Sequence, residues 1–185
     1  MNHIFKWLAL SLLVTLQACA VGGPPREDHA FSFNTYRDSP DFVIWDYRYS
    51  HQSVVIRDAG SAVHDPGWAG AGQSGIRGNL RIGDTLYVKW KHKETGELFE
   101  ETASLVGRLP RDMRDKTIRF IVSATGLHVY VSGSNLKPLK TNECPRLRAE
   151  GRTNPTPDNR ALAHFCADSL IKIHPEQKVL IPEQK

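Results

Sequence analysis

The stretch "NLRIGDTLYVKWKHKETGELFEETASLVGRL" constrains this chain most. Leu86, Val88 and Trp90 alternate with Tyr87, Lys89 and Lys91. A period of two puts the first set on one face of a strand and the second set on the other. Glu94-Thr95-Gly96-Glu97 supplies a turn, and "LFEETASL" forms the return strand. Its charges, Glu100 and Glu101, are expected across from Lys89 or Lys91, where such pairs contribute a few tenths of a kcal/mol. A hairpin with one apolar face needs a second layer to cover that face.

Other segments repeat the pattern. In "KTIRFIVSATGLHVYVSGS", Ile118, Phe120 and Val122 alternate, Thr125-Gly126 turns the chain, and Leu127, Val129 and Val131 alternate back. In "DFVIWDYRYS", Val43, Trp45, Tyr47 and Tyr49 fall on one face, with Phe42, Ile44, Asp46 and Arg48 on the other. "SVVIRD" reads as a further strand. One segment reads as a helix: Thr156 suits the N-cap, Pro157 the first helical position and Asp158 the positive helix end. Leu162, Phe165 and Cys166, with Ser169 and Leu170, would share its face. The tail "HPEQKVLIPEQK" carries no clear signal. The fold class expected is mainly β: an antiparallel β-sandwich or partly open barrel with one C-terminal helix.

The amino end is of another kind. Lys6 precedes ten residues, Trp7 to Leu16, that are nearly all apolar. A membrane span needs about 20 such residues, whereas the h-region of a secretory signal needs about 7–15. Leu16-Gln17-Ala18-Cys19 then resembles a bacterial lipobox. The resemblance implies cleavage before Cys19 and lipid on its thiol, the side chain whose thiolate is a good nucleophile. More than one acyl chain is needed for stable anchoring, and a lipoprotein carries three. Ala20 after the cysteine implies the outer membrane, with the domain facing the periplasm. Residues 20–40 are rich in glycine, proline and charge and read as a tether. The expected division is therefore 1–18 signal peptide, 19–40 lipid anchor and flexible tether, and 41–185 a single β-rich domain.

Removing residues 1–18 leaves 167 of the 185, enough for one domain with a real core. Lys6 leaves with the signal, taking the formal charge from +4 to +3. So mild a balance argues against a nucleic-acid partner. Of three cysteines, Cys144 and Cys166 remain once Cys19 is acylated, an even pair in an oxidising compartment. A bridge between them would close a loop of 23 residues, a constraint of about 3 kcal/mol in the chain-entropy model.

Chemistry-bearing motifs are scarce. The eight histidines are scattered, and no G-x-S-x-G, H-E-x-x-H, P-loop or G-x-G-x-x-G is present. No catalytic residue, metal site or cofactor is expected. The more unusual segment is "RDAGSAVHDPGWAGAGQSGIRGN", 23 residues between two strand candidates. A long unstructured loop in a compact domain is commonly functional. Its glycines, Gly70 and Gly72 among them, let a backbone approach closely. Two readings of Trp68 stand side by side: an interface anchor, with Asp65 and Arg77 as flanking polar contacts, or a ring folded back on the core beneath a mobile loop.

The anchor, the domain size, "YRYSHQSVVI", the glycine-rich stretch and "LRIGDTLYVKW" together resemble the small immunity lipoproteins found beside type VI secretion phospholipase effectors. The strand motif of that group falls here on Ile82, Gly83, Leu86, Val88 and Trp90, and the likeness covers residues 42–92. The resemblance implies a binding function without chemistry of its own: a phospholipase effector as partner, its cleft capped or plugged. The alternative is a structural outer-membrane lipoprotein of a secretion or envelope complex, and an envelope hydrolase comes third.

Overall fold

The computed structural model describes residues 25–51, 54–56, 70–133, 144–165 and 170–175. Its strands are β1 (Arg26–Asn34), β2 (Phe42–His51), β3 (Val54–Ile56), β4 (Gln73–Arg81), β5 (Thr85–His92), β6 (Leu98–Ser104), β7 (Lys116–Ser123), β8 (Gly126–Gly133) and β9 (Leu170–His174). Helices are the turn α1 (Thr35–Asp38), α2 (Cys144–Thr153) and α3 (Pro157–Phe165). Two sheets form, in the orders β4-β1-β7-β8-β9 and β3-β2-β5-β6. Neither closes into a barrel, so the architecture is a β-sandwich with a C-terminal helical region. Among the described residues every strand pair but one is antiparallel; β1 and β7 run parallel, with Phe31 beside Ile118.

Both expected hairpins form. Lys89 pairs with Glu100 across β5 and β6, and their charged atoms lie 3.7 Å apart. Ile118, Phe120 and Val122 are buried with Leu127, Val129 and Val131. Thr156 caps α3 by accepting a hydrogen bond from Asn159 N at 3.1 Å.

Four expectations need correction. Residues 26–38 belong to the domain and not to a tether. "HAFSFN" alternates, and His29, Phe31 and Phe33 are buried between the sheets while β1 pairs with β4 and β7. The flanking glycine, proline and charge hide that alternation. The glycine-rich segment is shorter than it reads, because Gln73–Arg81 is strand β4, zipped along the whole of β1. Backbone pairing with β1, rather than side-chain pattern, makes it a strand. Two elements carry too little periodicity to be read: α2, which buries no side chain, and β9, which takes Leu170 away from the helix face expected for it. Lastly, β2 does not keep one period. Its register shifts between Ile44 and Asp46, so Phe42 and Ile44 point inward before the bulge and Tyr47 and Tyr49 after it.

The core is aromatic. The Phe31 ring stacks on Tyr47 and Tyr49, with centroids 5.4 and 5.5 Å away, and touches Phe120 at 5.6 Å. Trp90 stacks on Phe99 and donates its indole N–H to Ser123 O at 3.2 Å. One polar chain is buried among these rings. His29 Nδ1 meets the Glu27 carbonyl at 2.9 Å and must be the donor there. His29 Nε2 is then the acceptor for Tyr49 O–H at 3.1 Å. The Tyr49 oxygen in turn accepts from Gly83 N at 2.6 Å. Burial pushes the Tyr49 hydroxyl up to about 12.

The α3 helix docks on the outside of the five-stranded sheet through Ala161, packed with Ile121 and Tyr130. Tyr130 O–H donates to Asp158 Oδ1 at 2.5 Å, and Lys172 Nζ lies 2.7 Å from Asp158 Oδ2. Burial opposes the Asp158 charge, but the bonds from Lys172 and Tyr130 outweigh it and hold the carboxyl below its ordinary value. Burial, then the charge of Lys172, holds the nearby His128 imidazole below its own.

Two predictions follow from this packing. Phe31→Ala should cost about 3–5 kcal/mol in urea unfolding; a loss near zero would return residues 26–38 to a tether. His128 should make the protein less stable in mild acid. The unfolded chain protonates it near pH 6.5 while the folded chain resists, so stability falls as the pH drops below about 6.5. His128→Gln should flatten the fall in melting temperature between about pH 7 and 5.5; an unchanged slope would refute this. Asp158 acts lower, its contribution fading as the pH falls below about 4.

Candidate binding face

With Leu86, Val88 and Trp90 buried, β5 turns Tyr87, Lys89 and Lys91 to the outer face of the four-stranded sheet. The register sets Val43 beside Lys91, Asp46 beside Lys89 and Arg48 beside Tyr87. Trp45 occupies the bulge and is only partly buried. Two cation–aromatic stacks result. The Arg48 guanidinium lies 4.8 Å from the centre of the Tyr87 ring, and Lys91 Nζ lies 5.3 Å from Trp45. On the next strand, Glu100 accepts from Tyr87 O–H at 2.9 Å. Burial, then that bond to Glu100, pushes the Tyr87 hydroxyl up to about 12.

Asp46 fixes this face from below. It is 4 % exposed, and its Oδ2 accepts from Arg48 Nε and Nη2 at 3.1 and 2.9 Å. That pair holds the guanidinium over the Tyr87 ring. The α3 helix lies on the other sheet and α2 packs against α3, so among the described residues no helix of the C-terminal region covers this face. Trp, Tyr and Arg are the side chains enriched at the energetic centres of protein interfaces.

The sequence-predicted site residues fall in several places. Gly70 and Gly72 lie where the glycine-rich segment rejoins the domain. Between them Ala71 exchanges both backbone hydrogen bonds with Ile44, at 2.7 and 3.0 Å. Gly72 carries the ring of Tyr36, which would lie 2.2 Å from any Cβ placed there. These two glycines thus adjoin the end of β2 that bears Val43 and Trp45. Arg77 stands apart, opposite Ala30 on the outer face of the five-stranded sheet. Its guanidinium is shared between Asp28 at 3.2 Å and Asp115 at 2.6 Å. Asp65, Trp68, Cys19 and Cys166 lie outside the described residues. Cys144, at the start of α2, is disulfide-bonded.

Sequence reasoning passed over Trp45, Arg48 and Tyr87. The alternation of Tyr87, Lys89 and Lys91 was the available signal, but the bulge conceals that Trp45 shares no face with Tyr47 and Tyr49. Among the described residues no cluster of three His, Cys, Asp or Glu could hold a metal ion, and no helix is long and apolar enough to cross a membrane.

The join at Gly70 is testable. Its φ is +88°, and a Cβ would sit 2.8 Å from Val43 Cγ2. Gly70→Ala should therefore destabilise the protein by about 1–3 kcal/mol. Gly75→Ala, whose Cβ would meet Ser32 Cβ at an ordinary 3.6 Å, should be nearly neutral. Equal melting temperatures for both variants would contradict the packing described.

No protein-family model, curated protein or solved structure matches this chain.

Proposed function

We propose that this chain is a membrane-anchored periplasmic immunity protein that binds and inhibits a type VI secretion phospholipase effector. The observation that carries the proposal is the outer face of the four-stranded sheet. Trp45 and Tyr87, each stacked under a cation, stand beside the glycine-rich join at Gly70 and Gly72. Aromatic rings presented on a rigid sheet lose little conformational freedom when a partner covers them. The lipobox at Leu16 to Cys19 and the likeness of residues 42–92 to the immunity lipoproteins support the choice of partner. A phospholipase must work at a membrane surface, and a lipid on Cys19 would hold its inhibitor in the same layer.

The reading is tested by protection. Where a phospholipase effector is encoded beside it, cells expressing this chain should survive periplasmic delivery of that effector. Cys19→Ser should weaken protection without weakening inhibition by the purified protein. Trp45→Ala and Tyr87→Ala should each cost about 2 kcal/mol of binding, a loss of roughly thirtyfold in affinity, with melting temperature nearly unchanged. Trp68→Ala should do the same if the glycine-rich segment joins the contact. Full inhibition by the Trp45→Ala/Tyr87→Ala pair would remove this face from the mechanism. Failure to protect against any co-encoded lipase would end the immunity reading and favour a structural lipoprotein of the envelope.

A further inference from the structure

A second charged feature lies on the opposite side of the sandwich, where α2 and α3 pack as a pair. Arg148 and Arg152 stand one turn apart on α2, and Arg160 and His164 one turn apart on α3. Side chains four apart share a helix face, and like charges so placed oppose helix formation. The two faces converge because Gly151 lets the helices touch. A Cβ on Gly151 would sit 2.6 Å from Ala163 Cβ and 3.0 Å from Asn159 O. Arg37, from α1, closes the third side. Together they line an open pocket of about 290 Å³.

Among the described residues, Asp38 is the one carboxylate that lines that pocket. It lies 3.5 Å from His164 Nδ1, and its backbone carbonyl accepts from Arg160 Nη1 at 3.1 Å. Four guanidinium groups therefore face one acid. The side chains of Arg37, Arg148 and Arg152 have no hydrogen bond or ion pair among the described residues. His164 Nδ1 is buried without a hydrogen-bond partner there, its ring stacked on Phe165 at 4.1 Å. Arg119 covers the same Phe165 ring at 4.7 Å, adding a further cation beside the pocket. Packing does not dictate this composition, because α2 buries no side chain.

We propose that this pocket binds a phosphate monoester or diester group. A guanidinium presents a planar fork that pairs with two oxygens at once. Forks arriving from three helices suit a tetrahedral group with oxygens pointing several ways. A flat carboxylate would engage fewer of them. The volume admits a phosphate with part of its ester. The inference stands apart from the choice of protein partner above. The phosphate could belong to a phospholipid headgroup or to a soluble compound, and the test separates the two.

Binding to the full chain in detergent is measured calorimetrically with three probes: inorganic phosphate, sn-glycerol 3-phosphate, and dihexanoyl phosphatidylglycerol below its micelle concentration. Saturable binding of at least one is expected. Arg148→Gln/Arg152→Gln should weaken it at least tenfold, and Arg81→Gln, on strand β4, should leave it unchanged. Tighter binding of the short-chain lipid than of glycerol phosphate identifies a membrane headgroup; the reverse identifies a soluble ligand. Arg148→Lys/Arg152→Lys keeps the charge but loses the forks, and should bind more weakly than the parent; it also serves if the glutamine pair fails to fold. Absence of saturable binding to every probe, or parental affinity in a folded variant of either pair, overturns the proposal.

Discussion

Phe31 lies between Tyr47 and Tyr49, stacked on both, and the two layers of the sandwich meet at that contact. Phe31 comes from β1 in one sheet and the tyrosines from β2 in the other, joined through the short turn α1. Three large rings buried together bring a large apolar area and favourable ring geometry to one place. The position of β1 depends on them. With its apolar face committed to these rings, β1 offers its two edges to β4 and β7, and the five-stranded sheet is continuous only because it does. The chain His29–Tyr49–Gly83 repeats the tie in polar form, linking β1, β2 and the approach to β5.

How much of this was legible depended on how the pattern was carried. The two tight hairpins were plain, because side-chain alternation and turn residues coincide in them. The β1 strand has alternation, but it lies in a run of glycine, proline and charge that reads as a linker. The β4 strand has the opposite difficulty: five of its nine residues are Gly, Arg or Asn, and backbone pairing to β1 alone defines it. The short pairing of β9 with β8 is long-range in the same way. A hydrogen-bond partner more than thirty residues away leaves no trace in local periodicity.

The bulge at Trp45 connects fold to site. A perfect alternation through β2 would set Trp45 on the same face as Tyr47 and Tyr49. One extra residue in the strand instead brings Tyr47 and Tyr49 inward, behind Ile44, and leaves Trp45 beside Lys91 on the outer sheet face. The core gains two tyrosines and the outer sheet face gains an indole ring from one irregularity. Such bulges re-aim side chains next to functional sites often enough that the break in period is itself informative. Neither Trp45 nor Tyr87 was singled out from the sequence, since the first needs the bulge and the second needs Arg48 placed over it.

The helical side follows a different logic. The α3 helix is bound to the sheet by Ala161 beneath it and by Asp158 between Tyr130 and Lys172. The α2 helix has no such hold. It buries no side chain, and what fixes it are the close Gly151–Ala163 contact, the turn at Asn154 to Thr156 and the disulfide at Cys144. A helix so held contributes little to the core and is costly to keep ordered. Its sequence is therefore governed by what its surface meets. Arginines four apart on that surface, facing another basic pair across a glycine contact, add repulsion to an element with little stability to spare. An anion between them would turn each of those repulsions into an attraction, and α2 would then be ordered by the ligand as much as by the fold.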